Sequence, residues 1–489
     1  MPQLQPRTTS IRTKQSNPLH HRTHWILRRR THLHHAHLPV HHRHAVRKRS
    51  ARIDRNPQTI PPKTIPTSML EPTRSKPFSI LYPLHSALMS WLTTASPAQR
   101  RALIAASLGW MLDSMDVMLY AMVLPAVQRD LHLSSALSGG MMSATLLAAA
   151  AGGLFFGWFA DRLGRACALN ASLLIYSMAT ALCGFTHTAL ALAACRILLG
   201  LGMGGEWASG AALVAETFPP AARGKALAFV QSFWAIGYAL GAAITALILP
   251  CFGWRAVFFA GILPAVLTLW IRRSVHEPAI FQRDRQSNPS PLQLFRAPLA
   301  RPTLICATMN AATLFAWWGL FTWTPRFLSL PIAQGGHALS VVNTSTWTVV
   351  MQAGTFAGYL SFGSIAEKFG AKRTYIAYLI IAAAAVPVFA AVANPWLLLI
   401  IGPIVGFFGT GYFSGFAVIA ADLFPTPIRA TAMGFVYNIG RIASAAAPYL
   451  IGLISEHHGL ASALLITSAA FLLAALIATA LRASPQSAT

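Results

Sequence analysis

Between Arg101 and Arg482 the chain alternates long apolar runs with short polar turns. A helix needs roughly 20 apolar residues to cross about 30 Å of hydrocarbon, and about twelve runs of that length can be marked off here. They predict helical spans near residues 102–127, 140–160 and 166–185, a fourth starting near Ala189, then 224–249 and 255–271. A second set falls near 303–325, 340–363, 374–393, 396–419, 430–453 and 461–481. The stretch between the sets, Ser274 to Pro302, is polar and proline-containing and cannot span. The expected layout is a first six-helix half at 89–271, a cytoplasmic linker at 272–302, a second half at 303–482 and a tail at 483–489.

The polar punctuation repeats. Gly157-Trp-Phe-Ala-Asp161-Arg162-Leu-Gly164-Arg165 sits between the second and third runs, and Gly363-Ser-Ile-Ala-Glu367-Lys368-Phe-Gly370 returns in the same order 206 residues later (363 minus 157). At the same offset Glu216-Thr-Phe-Pro through Arg223 meets Asp422-Leu-Phe-Pro through Arg429, and Gly200, Gly205 and Phe229 meet Gly406, Gly411 and Phe435. Agreement at one offset predicts two copies of one membrane unit: an all-α membrane protein of about twelve transmembrane helices in two pseudo-symmetric halves.

Composition narrows this further. Of 489 residues 55% are hydrophobic and 10% charged, with mean hydropathy +0.52, which excludes an ordinary soluble protein. The net charge of +25 does not signal nucleic-acid binding, because much of the excess lies in the first 85 residues, rich in Arg, His and Pro. That stretch cannot bury a core and is expected to be a disordered extension covering 1–88, with Met89 a natural start for the folded part. Cys167, Cys183, Cys195, Cys251 and Cys306 lack the spacing of a metal site and read as small core residues. Basic residues crowd the turns on one side: Arg162, Arg165, Arg223, Lys225, Lys368, Lys372, Arg373 and Arg429, against Arg129, Arg255 and Arg326 on the other. The positive-inside rule then sets both termini in the cytoplasm of a cell that carries the protein in its inner membrane.

Ionisable groups within spans are functional candidates, since one left unpartnered at mid-membrane costs about 2.5–3.5 kcal/mol even on the mildest scale. They are Asp113, Asp116, Arg196, Glu206 and Arg441. At about 1.5 Å per residue, Asp116 lies roughly 20 Å from the inner end of its span and Arg196 roughly 10 Å from the outer end of the fourth. Their depths match. A carboxylate paired with a guanidinium stays ionised and takes up a proton when the pair is broken; the alternative is a static salt bridge. Asp113 is a second proton site or a packing group, and Glu206 a relay or a bond to a neighbouring helix. Arg441, in Tyr437-Asn438-Ile-Gly440-Arg441, has no acid in its own helix, so a substrate carboxylate is its expected partner. Asn438, Gln231, Trp234, Trp317 and Trp318 are candidate lining residues, whereas Trp323 reads as a belt residue at a membrane end. Asp161 and Glu367 are placed to hold the two halves together at the cytoplasmic side through helix dipoles, unless they only set topology.

These motifs resemble the major facilitator superfamily: Gly157 to Arg165 its loop between spans two and three, the Arg196 stretch its span-four motif, Glu216 to Arg223 the turn that follows. Asp113-Ser-Met-Asp116, Gly204-Gly205-Glu206-Trp207, Gly253-Trp254-Arg255 to Pro264 and Gly440-Arg441 resemble the sialate:proton symporters and their lactate and aromatic-acid relatives. The resemblance covers about 100–482. It implies alternating access, with import of a small organic anion coupled to protons; rival expectations are an exporter of the same fold and a membrane sensor that moves nothing. No nucleophile–base set or cofactor loop appears, so neither an enzyme nor a cofactor beyond the proton gradient is expected. The expected partners are a small organic anion, protons and the lipid bilayer, with no metal and no nucleic acid, and the expected state is a monomer.

Overall fold

The computed structural model describes residues 92–274 and 291–481. The expected extension at 1–88, the tail at 483–489 and the middle of the linker fall outside these. Among the described residues the chain is helical, with no strand.

The first half comprises α1 (Pro97–Asp130), α2 (Ser135–Leu163), α3 (Arg165–Cys183), α4 (Ala189–Thr217), α5 (Pro220–Phe259) and α6 (Leu263–Ser274); the second comprises α7 (Ala300–Ser329), α8 (Val341–Phe369), α9 (Ala371–Ala391), α10 (Pro395–Leu423), α11 (Thr426–Ser444), α12 (Ala446–His458) and α13 (Leu460–Thr479). Two expected spans differ in form. α5 holds the fifth and the start of the sixth, because the chain reverses at Gly253 (φ 76°, ψ 175°) and a short 3-10 turn at Ala260–Ile262 precedes α6. The eleventh is broken at Ala445 into α11 and α12. Pro264 and Pro448 explain both interruptions: each lacks the N–H that would bond four residues back and crowds that carbonyl.

Starts are set by short polar caps where a span meets water. Ser96 and Gln99 form a capping box on α1, and Ser134, Thr188, Ser340 and Asn394 each accept a backbone N–H at the start of α2, α4, α8 and α10. The repeat is visible in the backbone itself. Among the described residues, six of the seven positive-φ residues form pairs 206 apart, Gly335 being the exception: His132 and Ala338, Gly164 and Gly370, Gly253 and Gly459 (338 minus 132, 370 minus 164, 459 minus 253).

Within each half, helices approach through glycine. A Cβ at Gly152 of α2 would strike the Leu201 carbonyl of α4, and one at Gly358 of α8 would strike the Phe407 carbonyl of α10. Large apolar side chains remain on the outside, among them Leu472, Leu473 and Leu476 of α13, half exposed or more, while Ala474, Ala475 and Ala478 face inward. Such a surface suits lipid. Of the cysteines, Cys183 and Cys306 are buried as expected, but Cys167 and Cys251 are exposed and Cys195 is intermediate.

The halves meet where α2 runs along α11 and α12 and where α5 runs along α8, with α1 touching α7. The contact is uneven along the axis. At the end bearing the α1–α2 turn it is tight: a Cβ at Gly139 would strike Pro448, one at Gly452 would strike Ser135, and the Ala136 N–H donates to Glu456 Oε1 at 2.8 Å. At the end bearing the charged turns, a Cβ at Gly157, Gly224, Gly363 or Gly434 would meet nothing within 4 Å among the described residues. Trp323, expected at a membrane end, is instead fully buried, with Nε1 donating to the Pro448 carbonyl at 3.0 Å.

Candidate functional site

Midway along the bundle, α1, α5, α7, α8, α10 and α11 surround a cavity walled by indoles. Trp110 of α1 packs against Trp234 of α5 at 4.7 Å between ring centroids and Trp207 of α4 at 4.6 Å. Trp234 meets Trp317 and Trp318 of α7 at 5.6 and 6.2 Å, across the interface between halves. Gln231, Leu314, Tyr359, Phe413, Tyr437 and Arg441 complete the lining. The rings leave a free volume of about 20 Å³, room for about one water, so an occupant must part them.

α11 aims Arg441 at this cavity. It is 2% exposed, its Nη2 donates to Tyr437 Oη at 3.4 Å, and its guanidinium lies 5.1 Å from the Tyr437 ring. Its charge reaches Asp113 of α1 and Glu206 of α4, across the interface, without closing a direct ion pair among the described residues. Both acids are 1% exposed. Neither Asp113 oxygen nor Glu206 Oε2 has a hydrogen-bond partner among the described residues. Gly109 makes room for the second acid, since a Cβ there would stand 2.6 Å from Glu206 Oε1.

The expected Asp116–Arg196 pair is not formed. Asp116 points to α3, where Thr180 Oγ1 donates to its Oδ2 at 3.0 Å. Arg196 lies over the Tyr120 ring at 4.0 Å, with Nη2 3.3 Å from Met142 Sδ, and its Nε and Nη1 have no hydrogen-bond partner among the described residues. Equal depth fixes height along a bundle but not direction around it, and here the two side chains turn to different neighbours. Both are 0% exposed. Asn438, expected in the lining, is not there: its Nδ2 donates to the Gly434 carbonyl at 3.0 Å, and its Oδ1 would stand 2.9 Å from a Cβ at Gly153 of α2. Gln231, Trp234, Trp317 and Trp318 do line the cavity; Trp110, Tyr359, Phe413 and Tyr437 join them without having been singled out.

Near the charged turns, Arg165 Nε pairs with Glu216 Oε1 at 3.0 Å, tying α3 to α4 inside one half. Arg162 stacks on Trp158 at 4.4 Å, and Arg223 Nε is buried without a hydrogen-bond partner among the described residues. Gly164 and Gly370 adopt the positive φ that lets α2 pass to α3, and α8 to α9, in a single residue. Glu367 and Lys368 are exposed. The side chains of Asp161, Asp422 and Arg429 lie outside the described set.

Two helical halves around a central, amphipathic cavity, with unpaired charges at mid-depth, define a membrane transporter architecture. The chain matches the Major Facilitator Superfamily over residues 106–361 and 327–489, and it belongs to that family. It is 31% identical to the sialic acid transporter NanX of Escherichia coli (strain K12) over 385 residues, covering 78% of this chain and 94% of that one. It is 30% identical to the gentisate transporter of Corynebacterium glutamicum over 370 residues, 72% of this chain and 81% of that one. Among solved structures it resembles a bacterial homolog of the human lysosomal transporter Spinster, in an inward-facing and occupied conformation, with TM-score 0.62 and 19% identity over 79% of this chain and 97% of the other. The family makes this chain a membrane transporter rather than an enzyme.

Proposed function

We propose that this protein imports a small organic anion together with protons by alternating access, and that Arg441 holds the anion's carboxylate. The observation that carries the reading is Arg441 itself: a guanidinium buried at the cavity wall whose one side-chain hydrogen bond among the described residues goes to the Tyr437 hydroxyl. A cation left so in low dielectric is costly, and a carboxylate can satisfy it with two parallel charge-assisted bonds. The surrounding indoles favour a flat, apolar body on that carboxylate. Relatives named for sialic acid and gentisate support an organic acid.

Charge balance supports proton coupling. With the cavity empty, Arg441 is the cation that faces Asp113 and Glu206. When a carboxylate claims Arg441, these two buried acids lose it, and a net negative site cannot be carried through the bilayer core. Protons on Asp113 or Glu206 restore the balance. Asp116, hydrogen-bonded to Thr180 and outside the cavity lining, is the less direct carrier, and Arg196 serves as a structural cation of the first half. The crowding of basic turns at one end supports a cytoplasmic location for both termini and an inner-membrane protein. The tight end then faces outward. The proposed transporter works as a monomer and uses the proton gradient with no other cofactor.

The test is counterflow in proteoliposomes with a panel of labelled aromatic and aliphatic acids. At least one should exchange in the parent and fail in Arg441→Ala, whereas unchanged exchange in that variant removes the carboxylate assignment. The sign of accumulation under an imposed pH gradient separates import from export.

A further inference from the structure

A second cavity lies nearer the tight end, between α1, α5, α7 and α8, and it is far roomier than the first, with about 360 Å³ of free volume. Its walls are Met122, Pro125, Leu249, Pro325, Leu330 and Leu339, and two arginines, Arg129 and Arg326, enter the lining. Twelve residues of α1 separate Trp110 from Met122, so the two cavities are about 18 Å apart along that helix. Tyr238 Oη of α5, donating to the Phe321 carbonyl of α7 at 3.0 Å, is one of the contacts that close the passage between them.

The two arginines are unusual in their company. Neither forms an ion pair among the described residues. Arg129 is spent on the Pro125 carbonyl of its own helix, 3.2 Å from its Nε. Among the described residues, the charge that bears on Arg326 is the like charge of Arg129. Asp130, the acid next in sequence, turns the other way and is engaged by Arg255 at 2.9 Å and by Trp254 Nε1 at 3.1 Å. Two guanidiniums entering one chamber, whose lining adds the hydroxyls of Ser329, Ser340 and Thr344 but no acid, repel each other. An anion between them removes that repulsion and satisfies both forks.

We propose that the Arg129–Arg326 chamber is an outer capture site for a small organic carboxylate, filled before the passage to Arg441 opens. The proposal rests on the organic-anion reading above for the identity of its ligand. The geometry suits that ligand: about 360 Å³ accepts a small acid, the arginines take the carboxylate, and the leucine and proline walls take the apolar body. It also assigns a role to charges otherwise explained only as topology exceptions on the less basic side. A phospholipid headgroup offers the same chemistry, and the test separates the two.

Ser329 lines the chamber, its hydroxyl donating to the Arg326 carbonyl at 3.1 Å. A Ser329→Cys variant in phosphatidylcholine nanodiscs would be modified with an anionic sulfonatoethyl and a cationic trimethylammonium methanethiosulfonate, after subtraction of the parent's own thiol reaction. The sulfonate reagent should react at least about tenfold faster than the cation, the scale of electrostatic focusing in a charged cleft. Benzoate at millimolar concentration should slow it. Adding Arg129→Gln and Arg326→Gln should bring the two rates to within about threefold, while Arg326→Lys, which keeps the charge, should preserve most of the preference and guards against misfolding as the cause. Equal rates in the Ser329→Cys protein, or a preference that survives both glutamine substitutions, overturns the proposal. So does protection by phosphatidylglycerol without protection by benzoate, which would make the occupant a lipid. None of these readouts requires transport. A protein that shows the preference yet carries no organic acid keeps its anion chamber and loses the functional reading above.

Discussion

The two halves of this transporter share a skeleton and differ in chemistry. Caps Ser134 and Ser340, turns Gly164 and Gly370, and the close approaches at Gly152 and Gly358 all recur at the same spacing. The charged turns recur as well, but the charges within the spans do not. Adding 206 to Asp113, Asp116, Arg196 and Glu206 lands on Gly319, Thr322, Gly402 and Tyr412, and subtracting it from Arg441 lands on Ala235. Packing rules constrain the repeat wherever helices touch, whereas the cavity faces have been free to diverge. One half supplies acids, the other the cation. A site divided in this way changes its electrostatics whenever the halves rock, because Arg441 moves relative to Asp113 and Glu206.

If that division is right, substitutions at equivalent skeletal positions should behave alike, and those at cavity positions should not. The largest effect is expected for Arg441→Ala. Losing one partner of a buried, hydrogen-bonded charge pair costs about 2–5 kcal/mol, so the anion's Kd should rise by roughly 30-fold to several thousandfold, measured by quenching of the cavity tryptophans. Arg441→Lys keeps the charge but loses the planar fork and should weaken binding by about 1.5–3 kcal/mol. Next come the skeletal glycines: Gly152→Ala and Gly358→Ala should each destabilise by about 1–3 kcal/mol, read as a loss of thermal stability in detergent, because the added methyl meets backbone that cannot yield. A large loss at one and none at the other would break the symmetry argument. Gly109→Ala has no charged counterpart in the second half and should act differently. Its methyl meets the movable end of Glu206, so stability should be nearly kept while pH-driven accumulation falls.

The smallest effect is expected at the tight end. The Ala136 backbone N–H holds the Glu456 carboxyl below the usual carboxylate range. The folded value is depressed, so this contribution to holding the tight end closed is present above the ordinary glutamate pKa and is lost as pH falls through the depressed one. Glu456→Gln should mimic the acid state at neutral pH, shifting cysteine accessibility modestly towards outward-open. An unchanged accessibility pattern would show the contact to be incidental.

Much of this was legible in the sequence, for reasons that particular residues make plain. Apolar run length and the 206-residue offset give the fold because a bilayer admits few spanning solutions. Arg441, Asp113 and Glu206 stand out because charge in a span is rare. What the sequence could not give was direction around each helix. In lipid an apolar stripe marks no inside, so Trp110, Tyr359 and Phe413 read like any other large residues of a span, and Asn438 could be assigned to the cavity when it lies at the α2 contact. Trp323 read as a belt residue for the same reason. Asp116 and Arg196 were joined by depth alone, and only the structure separates Thr180 and Tyr120 as their respective neighbours.

The central claim is that protons carried on Asp113 and Glu206 compensate the anion on Arg441. It is tested most directly in proteoliposomes holding an Asp113→Asn, Glu206→Gln double variant, with an acid that the parent exchanges. Under an imposed pH gradient the variant should no longer accumulate the acid, yet it should still exchange labelled for unlabelled substrate, since exchange needs no net proton movement. Accumulation that persists at the parent's level would contradict the account and place the coupling elsewhere, with Asp116 the first residue to examine.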